Sequence, residues 1–445
     1  MHANSHVLEL SIIIDSRIYA YLFAPIIPEL LSKGIRVYVY APLKIINHVR
    51  NDIGLDDRIV YLDLDPIRKM HRWRWRIHRV AMEFFVRDDF SFQFYKKRNE
   101  ITMTLSPGRR ALVKLSRFLP KVPNDSINSF LKRIAGFGMR NPFRTSAIMV
   151  GSLNASAELL CAKGQTVITI MESWDHVVKL PNGYTSSAVF VWNEDLKVDW
   201  ERVQRDRNVH IFYPLKLRHA RDVVRHWTFQ LEHIARRPFF VYSVAGTRRF
   251  CIQALVDVEQ QLIRDLARAA ESIGWDLFIK PRPNGERDEF VAIEQEFSNV
   301  RVGSVIDLEI EHPSNYFLSD DYNNKRFSEI QGAKFVVNAF TTFGLDAAAA
   351  GIPVLQLDLR KARGYDRSNL IYENYHLKNY LLSRSSVLRI DGNFHTAFLH
   401  FLQSYEELTS RYAKDLSNWL FGDRLQSSSI EGLVVSSIAL IRNSK

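Results

Sequence analysis

Cysteine is scarce in this sequence, which contains only Cys161 and Cys251 among its 445 residues. Neither has the spacing of a zinc-binding motif or of a disulfide framework, so we expect neither kind of site. Long apolar runs are also missing, since SIII and LVVSSIALI are much shorter than the roughly 20 residues that span a bilayer. No basic segment followed by an apolar one opens the chain as a secretory signal would. We therefore predict a cytoplasmic protein without a transmembrane anchor.

The sequence also lacks internal repeats of solenoid period and low-complexity tracts. Hydrophobic residues make up 46% and charged residues 24% of the chain, as in ordinary globular proteins. Because the length exceeds what one hydrophobic core usually holds, we predict two domains. The net charge is +11, from 60 Lys and Arg against 49 Asp and Glu. This charge favours an anionic partner, which could be nucleic acid, a membrane surface or a phosphorylated substrate.

Strand patterns alternate with helical patterns in two separate series. The first series opens with VLELSIIIDS, a helical segment that ends at Gly34, and the strand IRVYVYAP. The second runs from FFVYSVAG through a long helix to WDLFIKP and later to AKFVVNAF and IPVLQLD. Strand–helix–strand order of this kind favours parallel sheets. Within the first series, residues from about 68 to 145 have helical spacing instead.

These patterns predict an α/β protein with two Rossmann-like domains that face a central cleft. The N-terminal domain would span residues 1–230 and carry the helical insertion at about 68–145. The C-terminal domain would span residues 231–415, and residues 416–445 would be helical. Because ligands of open α/β sheets bind beyond the carboxyl ends of the strands, this layout suits a donor in one domain and an acceptor in the other.

The segment VVNAFTTFGLDAAAAG contains the first candidate site. A buried strand leads into Thr341 and Thr342, and a small-residue helix that ends at Gly351 follows. Backbone N–H groups at a helix N-terminus, together with hydroxyl donors, can bind a phosphate. The alternative is a structural helix cap formed by one of the threonines.

The segment IKPRP contains the second candidate site, where Lys280 and Arg282 leave a strand of the same domain. The two prolines stiffen the turn, and an arginine held in this way can pair with a phosphate through two hydrogen bonds. The alternative is a solvated turn in which the two cations have no partner.

The third candidate, TIMESWDHVVK, follows a strand of the first domain. Glu172, Asp175 and His176 could each act as a general base on an acceptor hydroxyl. Asp15, which follows the first strand, is a weaker candidate for the same role. In each case the alternative is a carboxylate that caps the next helix.

Together, these motifs resemble those of GT-B type glycosyltransferases. More narrowly, they are similar to the clan of CDP-glycerol glycerophosphotransferases and bacterial polysialyl- and Kdo-transferases. In that clan a KPHP turn precedes a strand leading into SS and then FD, and the first domain carries a TWHGTPLK stretch. The corresponding segments here are KPRP at 280–283, TT at 341–342, LD at 345–346 and SWDHVVK at 173–179. The matches lie in both predicted domains, in the expected order.

The resemblance implies a role for each matching residue. Arg282 replaces a histidine that contacts the donor phosphate, and Thr341 and Thr342 replace a hydroxyl pair on the same phosphate. Asp175 replaces the histidine proposed as the base, with Glu172 as the second choice. Arginine stays protonated near neutral pH, so Arg282 could stabilise charge but not transfer a proton. The resemblance also implies that the C-terminal helices pack back on the N-terminal domain.

Further residues are weaker candidates for contacts in the cleft. Arg360 and Arg363 are predicted to follow the strand IPVLQLD, where they could reach a donor phosphate or an anionic acceptor. The remaining candidates follow strands of the second domain: Ser243, Gly246, Thr247 and Asp346. Asp63 and Asp65 form a D-x-D pattern, which binds divalent metal in a different glycosyltransferase fold. Here the pattern lies in a predicted strand and lacks the context of that fold, so we predict no metal site.

The basic stretch RKMHRWRWRIHR has aromatic residues between its cations. The simplest interpretation is an amphipathic helix in which Met70, Trp73, Ile77, Val80 and Phe84 form a core stripe. If the stretch is functional, contact with a membrane surface or an anionic acceptor fits it better than nucleic acid does, because no nucleic-acid-binding module accompanies it.

The sequence therefore predicts a metal-independent glycosyltransferase of surface polysaccharide synthesis. It would move a sugar from a nucleotide-activated donor to a glycan or lipid-linked acceptor, with no cofactor besides its nucleotide-sugar substrate. Peripheral contact with the inner face of the membrane stays open. The alternatives are a polyol-phosphate transferase of the CDP-glycerol type and a non-catalytic nucleotide- or glycan-binding protein on the same scaffold.

Overall fold

The computed structural model describes most, but not all, of the chain. The described residues are 8–84, 130, 133–151, 155–173, 186–204, 208–212, 214–215, 217, 237–244, 253–281, 288–303, 327, 329–339, 341, 343–372, 377–384, 386–405, 415–422 and 430–443.

These residues divide into two compact units. The first unit contains the described residues up to Leu215 together with those from Ile430 onward, and the second contains those from Leu217 to Gly422. The boundary predicted at residue 230 lies outside the described residues.

The first unit is built on a parallel sheet in which seven strands are described. The strands are β1 (Glu9–Ile13), β2 (Arg36–Ala41), β3 (Ile59–Asp63), β4 (Ala147–Val150), β5 (Thr166–Ile170), β6 (Ala188–Val191) and β7 (Val209–Ile211). Their spatial order is β3-β2-β1-β4-β5-β6-β7. The chain therefore builds the sheet outward from β1 in one direction and then outward from β4 in the other.

Both faces of this sheet are buried, which explains why its strands are nearly continuous apolar runs. Along β1, Leu10 and Ile12 belong to one hydrophobic cluster, and Ile13 belongs to a second cluster on the opposite face. Successive side chains of a strand point to opposite faces, so apolar residues at both odd and even positions of β1 supply both cores.

The second unit has a parallel sheet in which six strands are described. They are β8 (Phe239–Ser243), β9 (Asp276–Lys280), β10 (Val300–Val302), β11 (Val336–Asn338), β12 (Val354–Ala362) and β13 (Val387–Gly392). Their order is β10-β9-β8-β11-β12-β13, which repeats the arrangement of the first sheet. The predicted fold class, α/β with two parallel sheets, is confirmed.

Helices connect these strands. The described α-helices are α1 (Arg17–Phe23), α2 (Ile26–Ser32), α3 (Leu43–Ile53), α4 (Asp65–Phe84), α5 (Ala155–Cys161), α6 (Glu194–Gln204), α7 (Gln253–Ser272), α8 (Asp288–Glu296), α9 (Phe343–Ala349), α10 (Asn369–Tyr372), α11 (Phe394–Gln403) and α12 (Ile430–Asn443). The first helical segment is two helices rather than one, because Pro25 has no N–H to continue α1 and instead precedes α2.

Helix α4 is helical as its spacing predicts, but the predicted core stripe is wrong at two described positions. Ile67 and His71 are the buried residues of its first turns, whereas Met70 and Trp73 are exposed. The buried face is therefore rotated relative to the apolar spacing. Of the predicted insertion, residues 85–129 and 131–132 lie outside the described residues.

The C-terminal helix α12 packs on the first unit. Leu433, Val434 and Ile441 are buried in the hydrophobic cluster that contains Leu10 and Ile12 of β1. Lys33, which follows α2, also forms an ion pair with Glu431 at 2.7 Å. The described residues between 415 and 422, by contrast, belong to the second unit, so the segment predicted as 416–445 contributes to both units. None of the described helices is both long and apolar enough to cross a membrane.

Candidate functional site

A row of polar side chains crosses the carboxyl end of the second sheet. Ser243 pairs in register with Lys280, and Asn338 pairs with Gln356. Tyr242 pairs with Val337, so the next position places Ser243 beside Asn338. The four residues thus lie at one level across the adjacent strands β9, β8, β11 and β12. We call them the polar row.

All four members of the polar row point to the same face of the sheet. Their chain neighbours Tyr242, Ile279, Val337 and Leu355 belong to the hydrophobic cluster on the other face, and side chains alternate along a strand. None of the four is more than 6% exposed. Because burying polar groups costs free energy, four of them side by side are not explained by packing alone.

The polar row also lies at the point where the chain reverses its direction of sheet building. The strands β8, β9 and β10 extend the sheet one way, and β11, β12 and β13 extend it the other way. Ser243 and Asn338 end the two strands that flank this switch point. In open α/β sheets, ligands bind outside the carboxyl ends of the strands at such a switch point.

Asn338 fixes the turn between β11 and α9. Its Nδ2 donates to Gln356 Oε1 at 2.9 Å, and its Oδ1 accepts from the Thr341 N–H at 3.3 Å. Gly344 allows this contact, because a Cβ at that position would lie 2.6 Å from Asn338 Nδ2. Gln356 Nε2 is buried with no hydrogen-bond partner among the described residues. The row therefore holds Thr341 in place, and Gln356 Nε2 is a donor that nothing in the described part of the chain uses.

Thr341 lies at the start of α9, as predicted. Its Oγ1 accepts a hydrogen bond from the Phe343 N–H at 3.2 Å. This contact is the structural cap that the sequence left as the alternative. It does not exclude ligand binding, because a hydroxyl that accepts through its oxygen can still donate its proton.

Lys280 is buried in the polar row and forms an ion pair with Glu329. The carboxylate neutralises the ammonium, so Lys280 brings no net charge to this part of the sheet. The predicted phosphate site would therefore depend for its positive charge on Arg282, which lies outside the described residues, as do Thr342, Gly246 and Thr247.

Arg360 lies in strand β12, so the prediction that it follows the strand is wrong. The strand continues to Ala362 because Lys361 and Ala362 pair with β13 after a register shift. Arg360 donates to both oxygens of Asp358, at 2.8 Å and 2.7 Å. Burial raises the pKa of Asp358, but the hydrogen bonds from Arg360 outweigh burial and the net pKa is lowered.

The other two candidates in this unit have different surroundings. Arg363 has an exposed side chain, and its backbone N–H donates to the Gly392 carbonyl at 2.7 Å. Asp346 is buried in the first turn of α9, where a carboxylate interacts favourably with the helix dipole.

The first unit gathers candidate residues at the carboxyl end of its own sheet. Of the predicted candidates, Asp15 follows β1 and the buried Glu172 follows β5 by two positions. Gly151, which was not predicted, follows β4. The strands β1 and β4 flank the switch point of this sheet. Asp15 accepts a hydrogen bond at 2.9 Å from Arg68 of α4, forming an ion pair. Asp175 and His176 lie outside the described residues.

His71 is a residue that the sequence analysis missed as a site candidate. It is buried on α4, and its Nδ1 lies 3.2 Å from Ser156 Oγ on α5, the helix that follows β4. Burial lowers the pKa of His71, with a smaller contribution from Arg74. A neutral imidazole therefore contacts α5, and 85 residues separate it in sequence from the serine it contacts.

We expect His71 to make the stability of the protein depend on pH. Its pKa is lower in the folded than in the unfolded state, so the stability is fully present above about pH 6.5 and is lost as the pH falls. Urea midpoints measured between about pH 7 and 5.5 should therefore fall less in His71→Gln than in the wild type.

A second, partly buried histidine provides the comparison for this measurement. Burial also lowers the pKa of His210, so His210→Gln should remove a separate part of the pH dependence, and the double variant should remove more than either single change. An identical pH slope in His71→Gln and the wild type would contradict this assignment.

The prediction that the D-x-D pattern lies in a strand is wrong. Asp63 ends β3 and Asp65 begins α4. Asp63 Oδ1 accepts from the Asp65 N–H at 2.9 Å, and Asp65 Oδ2 accepts from the Leu43 N–H at 3.1 Å. Over the described ranges, no three His, Cys, Asp or Glu side chains gather as a possible metal site.

Three solved structures align with nearly the whole chain. A UDP-N-acetylglucosamine 2-epimerase aligns with a TM-score of 0.51 at 9% identity, covering 98% of this chain and 97% of that chain. The UDP-GlcNAc 2-epimerase of Methanocaldococcus jannaschii gives 0.50 at 10% identity, covering 97% and 100%. MnaA of S. aureus with UDP gives 0.50 at 10% identity, covering 98% of each chain. At such identities the likeness shows the fold alone.

The two parallel sheets and these alignments define a GT-B-like fold, so the resemblance is confirmed at the level of fold. No model of a known protein family matches the sequence, and no curated protein matches it either. The narrower resemblance to the CDP-glycerol glycerophosphotransferase clan stays a prediction.

Proposed function

We propose that the protein is a metal-independent glycosyltransferase. It moves a sugar from a nucleotide-activated donor to a glycan or lipid-linked acceptor in surface polysaccharide synthesis, at the cytoplasmic side of a membrane. The observation that carries the proposal is the polar row of Lys280, Ser243, Asn338 and Gln356 at the switch point of the second sheet. The GT-B-like fold supports it, since the similar structures are named as nucleotide-sugar enzymes.

The second unit would bind the donor. A departing nucleoside diphosphate needs hydrogen-bond donors and positive charge placed where its charge develops. The proposal gives the positive charge to Arg282 and the hydroxyl donors to Thr341 and Thr342. Of these residues, Thr341 is positioned by Asn338, whose Oδ1 accepts from the Thr341 N–H. Lys280 adds no net charge to the donor site, because its ammonium is neutralised by the Glu329 carboxylate.

The first unit would bind the acceptor. Asp175 would remove the proton from the acceptor hydroxyl as it attacks the anomeric carbon, and the bond to the nucleotide phosphate would break. Glu172 is the second choice for this base. Its position just beyond β5, beside the switch point that Asp15 and Gly151 flank, supports a ligand at this edge of the sheet.

A second candidate function is epimerisation of a nucleotide sugar. It is favoured by one observation: the reported structures that align with this chain are named UDP-N-acetylglucosamine 2-epimerases or contain UDP. An epimerase would convert a nucleotide sugar without any acceptor, whereas the transferase would release the nucleotide only when an acceptor is present.

The test is turnover of CDP-, CMP-, UDP- and GDP-linked donors, with and without acceptor glycans, by the wild type, Asp175→Asn and Arg282→Ala. We expect acceptor-dependent release of nucleotide, reduced about 10²–10⁴-fold without the base and about 10²–10³-fold without the arginine. Asp57→Asn and Arg301→Ala are the matched controls, because both residues are exposed, and they should retain full turnover.

The same assay distinguishes the alternatives. Unchanged rates in both Asp175→Asn and Arg282→Ala would remove the assigned roles. Conversion of the donor without acceptor would support the epimerase, and transfer from CDP-glycerol alone would support the polyol-phosphate transferase. A nucleotide that raises the melting temperature while no donor is consumed would support a non-catalytic binding protein.

A further inference from the structure

Exposed apolar side chains are concentrated on one part of the first unit. Nine large apolar residues are exposed among the described residues, and five of them lie on α4 or between residues 130 and 137. The five, with their exposed fractions, are Met70 (54%), Trp73 (48%), Phe130 (60%), Ile134 (40%) and Phe137 (83%). Every exposed aromatic residue of that set of nine is therefore found here.

The two segments lie side by side and form one surface. Arg74 Nη2 donates to the Phe137 carbonyl at 3.0 Å, and the Arg74 guanidinium lies 4.8 Å from the centre of the Trp73 ring. On the inner side, Ile67 of α4 and Ala135 and Met139 of the second segment are buried in the same hydrophobic cluster. We call the five exposed apolar residues, together with the exposed cations Lys69, Arg72, Arg133 and Arg140, the α4 surface.

Local structure brings the apolar residues of each segment together. Met70 and Trp73 are three positions apart on α4, and Phe137 lies in a turn where its N–H donates to the Ile134 carbonyl at 3.1 Å. Residues three or four apart are neighbours on a helix surface. Apolar area gathered in this way is typical of an interaction site rather than of scattered surface residues.

Cations outnumber carboxylates around the α4 surface. Helix α4 and residues 130–144 together contain ten Lys and Arg against two carboxylates, Asp65 and Glu83, and Arg68 pairs with Asp15. Of the cations, Lys69, Arg72, Arg133 and Arg140 are exposed beside the apolar residues. A partner that complements this surface must present negative charge around an apolar layer.

An anionic lipid bilayer has both properties. Aromatic residues are favoured at the level of the lipid headgroups, and each Lys or Arg near an anionic membrane surface adds to binding. Single-stranded nucleic acid fits less well, because bases stack on aromatic rings and give no comparable contact to Met70 and Ile134.

We propose that the α4 surface docks the first unit on an anionic lipid bilayer. Trp73 and Phe137 enter the headgroup layer, and Arg72, Arg133 and Arg140 contact lipid phosphates. This inference is independent of the proposed reaction, because it rests on residues other than those assigned to donor and acceptor.

Cosedimentation of the full chain with vesicles tests the proposal. We expect binding to vesicles of about three parts phosphatidylcholine to one part phosphatidylglycerol, little binding to pure phosphatidylcholine, and weakening as salt rises from about 0.1 to 0.5 M. Trp73→Ser with Phe137→Ser, and separately Arg72→Glu with Arg140→Glu, should each lower the partition coefficient by about tenfold or more.

The matched controls are Val198→Ser and Lys44→Glu, which change exposed residues elsewhere in the first unit and should bind as the wild type does. Circular dichroism should show all variants folded, because the replaced side chains are exposed. The proposal is overturned if the wild type binds neutral and anionic vesicles equally or not at all, or if both double variants bind like the wild type. It is also overturned if an oligonucleotide, but no vesicle, binds in a way that these variants abolish.

Discussion

Replacing Glu329 with glutamine is expected to lower the free energy of unfolding of the second unit by about 3–5 kcal/mol. The reason is that Lys280 and Glu329 form a buried ion pair, with only 7% and 14% of their side chains exposed. Without the carboxylate, a charged ammonium is left in a buried position beside Ser243 at the end of the sheet. Urea denaturation followed by tryptophan fluorescence, to which Trp275 of this unit contributes, measures the change.

Two controls separate the charge effect from loss of packing. Glu296→Gln breaks the exposed pair with Arg264 in the same unit, and we expect a change below about 1 kcal/mol. The double change Lys280→Met with Glu329→Leu removes both charges together and should cost less than Glu329→Gln alone. A loss below about 1 kcal/mol in Glu329→Gln would show that the ammonium does not need its partner.

Gly344→Ala is expected to weaken nucleotide-sugar binding by at least about tenfold and to destabilise the second unit by about 1–3 kcal/mol. The added Cβ would lie 2.6 Å from Nδ2 and 3.0 Å from Cγ of Asn338. Asn338 has no room to yield, because it is fully buried and joins Gln356 to the Thr341 N–H. The turn that carries Thr341 would therefore shift.

Gly136→Ala is the matched control for this prediction. Gly136 is also a buried helical glycine, but a Cβ there meets only Lys163 at an ordinary distance of 3.6 Å. We expect this variant to bind nucleotide sugars as the wild type does. Calorimetric titration of both variants with the best donor measures the difference, and equal affinity of Gly344→Ala and the wild type would mean that the turn does not form the donor site.

The fold could be predicted from the sequence because its strands are buried on both faces. Runs such as FFVYS and DLFIK, separated by a long helical pattern, predict parallel strands without knowledge of their partners. Strand β12 shows where this fails. Its second half contains Arg360 and Lys361, a pattern typical of a loop, and it remains a strand only because β13 pairs with it.

The candidate site was only partly predictable for a related reason. Lys280 and Thr341 are visible at strand ends in the sequence. The polar row, however, exists only because the register of four strands brings Ser243, Asn338 and Gln356 level with Lys280. Likewise, 49 residues separate Lys280 from Glu329, so no local pattern reveals that the lysine is neutralised. Tertiary pairing, rather than local spacing, decides these properties.

The exposed face of α4 is a second feature that the sequence does not predict. Its apolar spacing correctly predicts a helix, but spacing does not tell which face the rest of the protein covers. The small residues of the neighbouring segment, such as Ala135, pack with Ile67 in one cluster and leave Trp73 outside. Burial on a helix therefore follows the neighbours that the fold supplies as well as the hydrophobic pattern.

Binding of nucleotide sugars to the intact chain tests the central claim most directly. In a thermal-shift panel of CMP, CDP, UDP and GDP and their sugar conjugates, at least one nucleotide class should raise the melting temperature. The increase should grow with the logarithm of ligand concentration above the dissociation constant. At the same ligand concentration the increase should be smaller in Gly344→Ala than in the wild type and unchanged in Gly136→Ala. If no member of the panel shifts the melting temperature of the wild type at millimolar concentration, the second unit is not a nucleotide-sugar site and the proposed function is wrong.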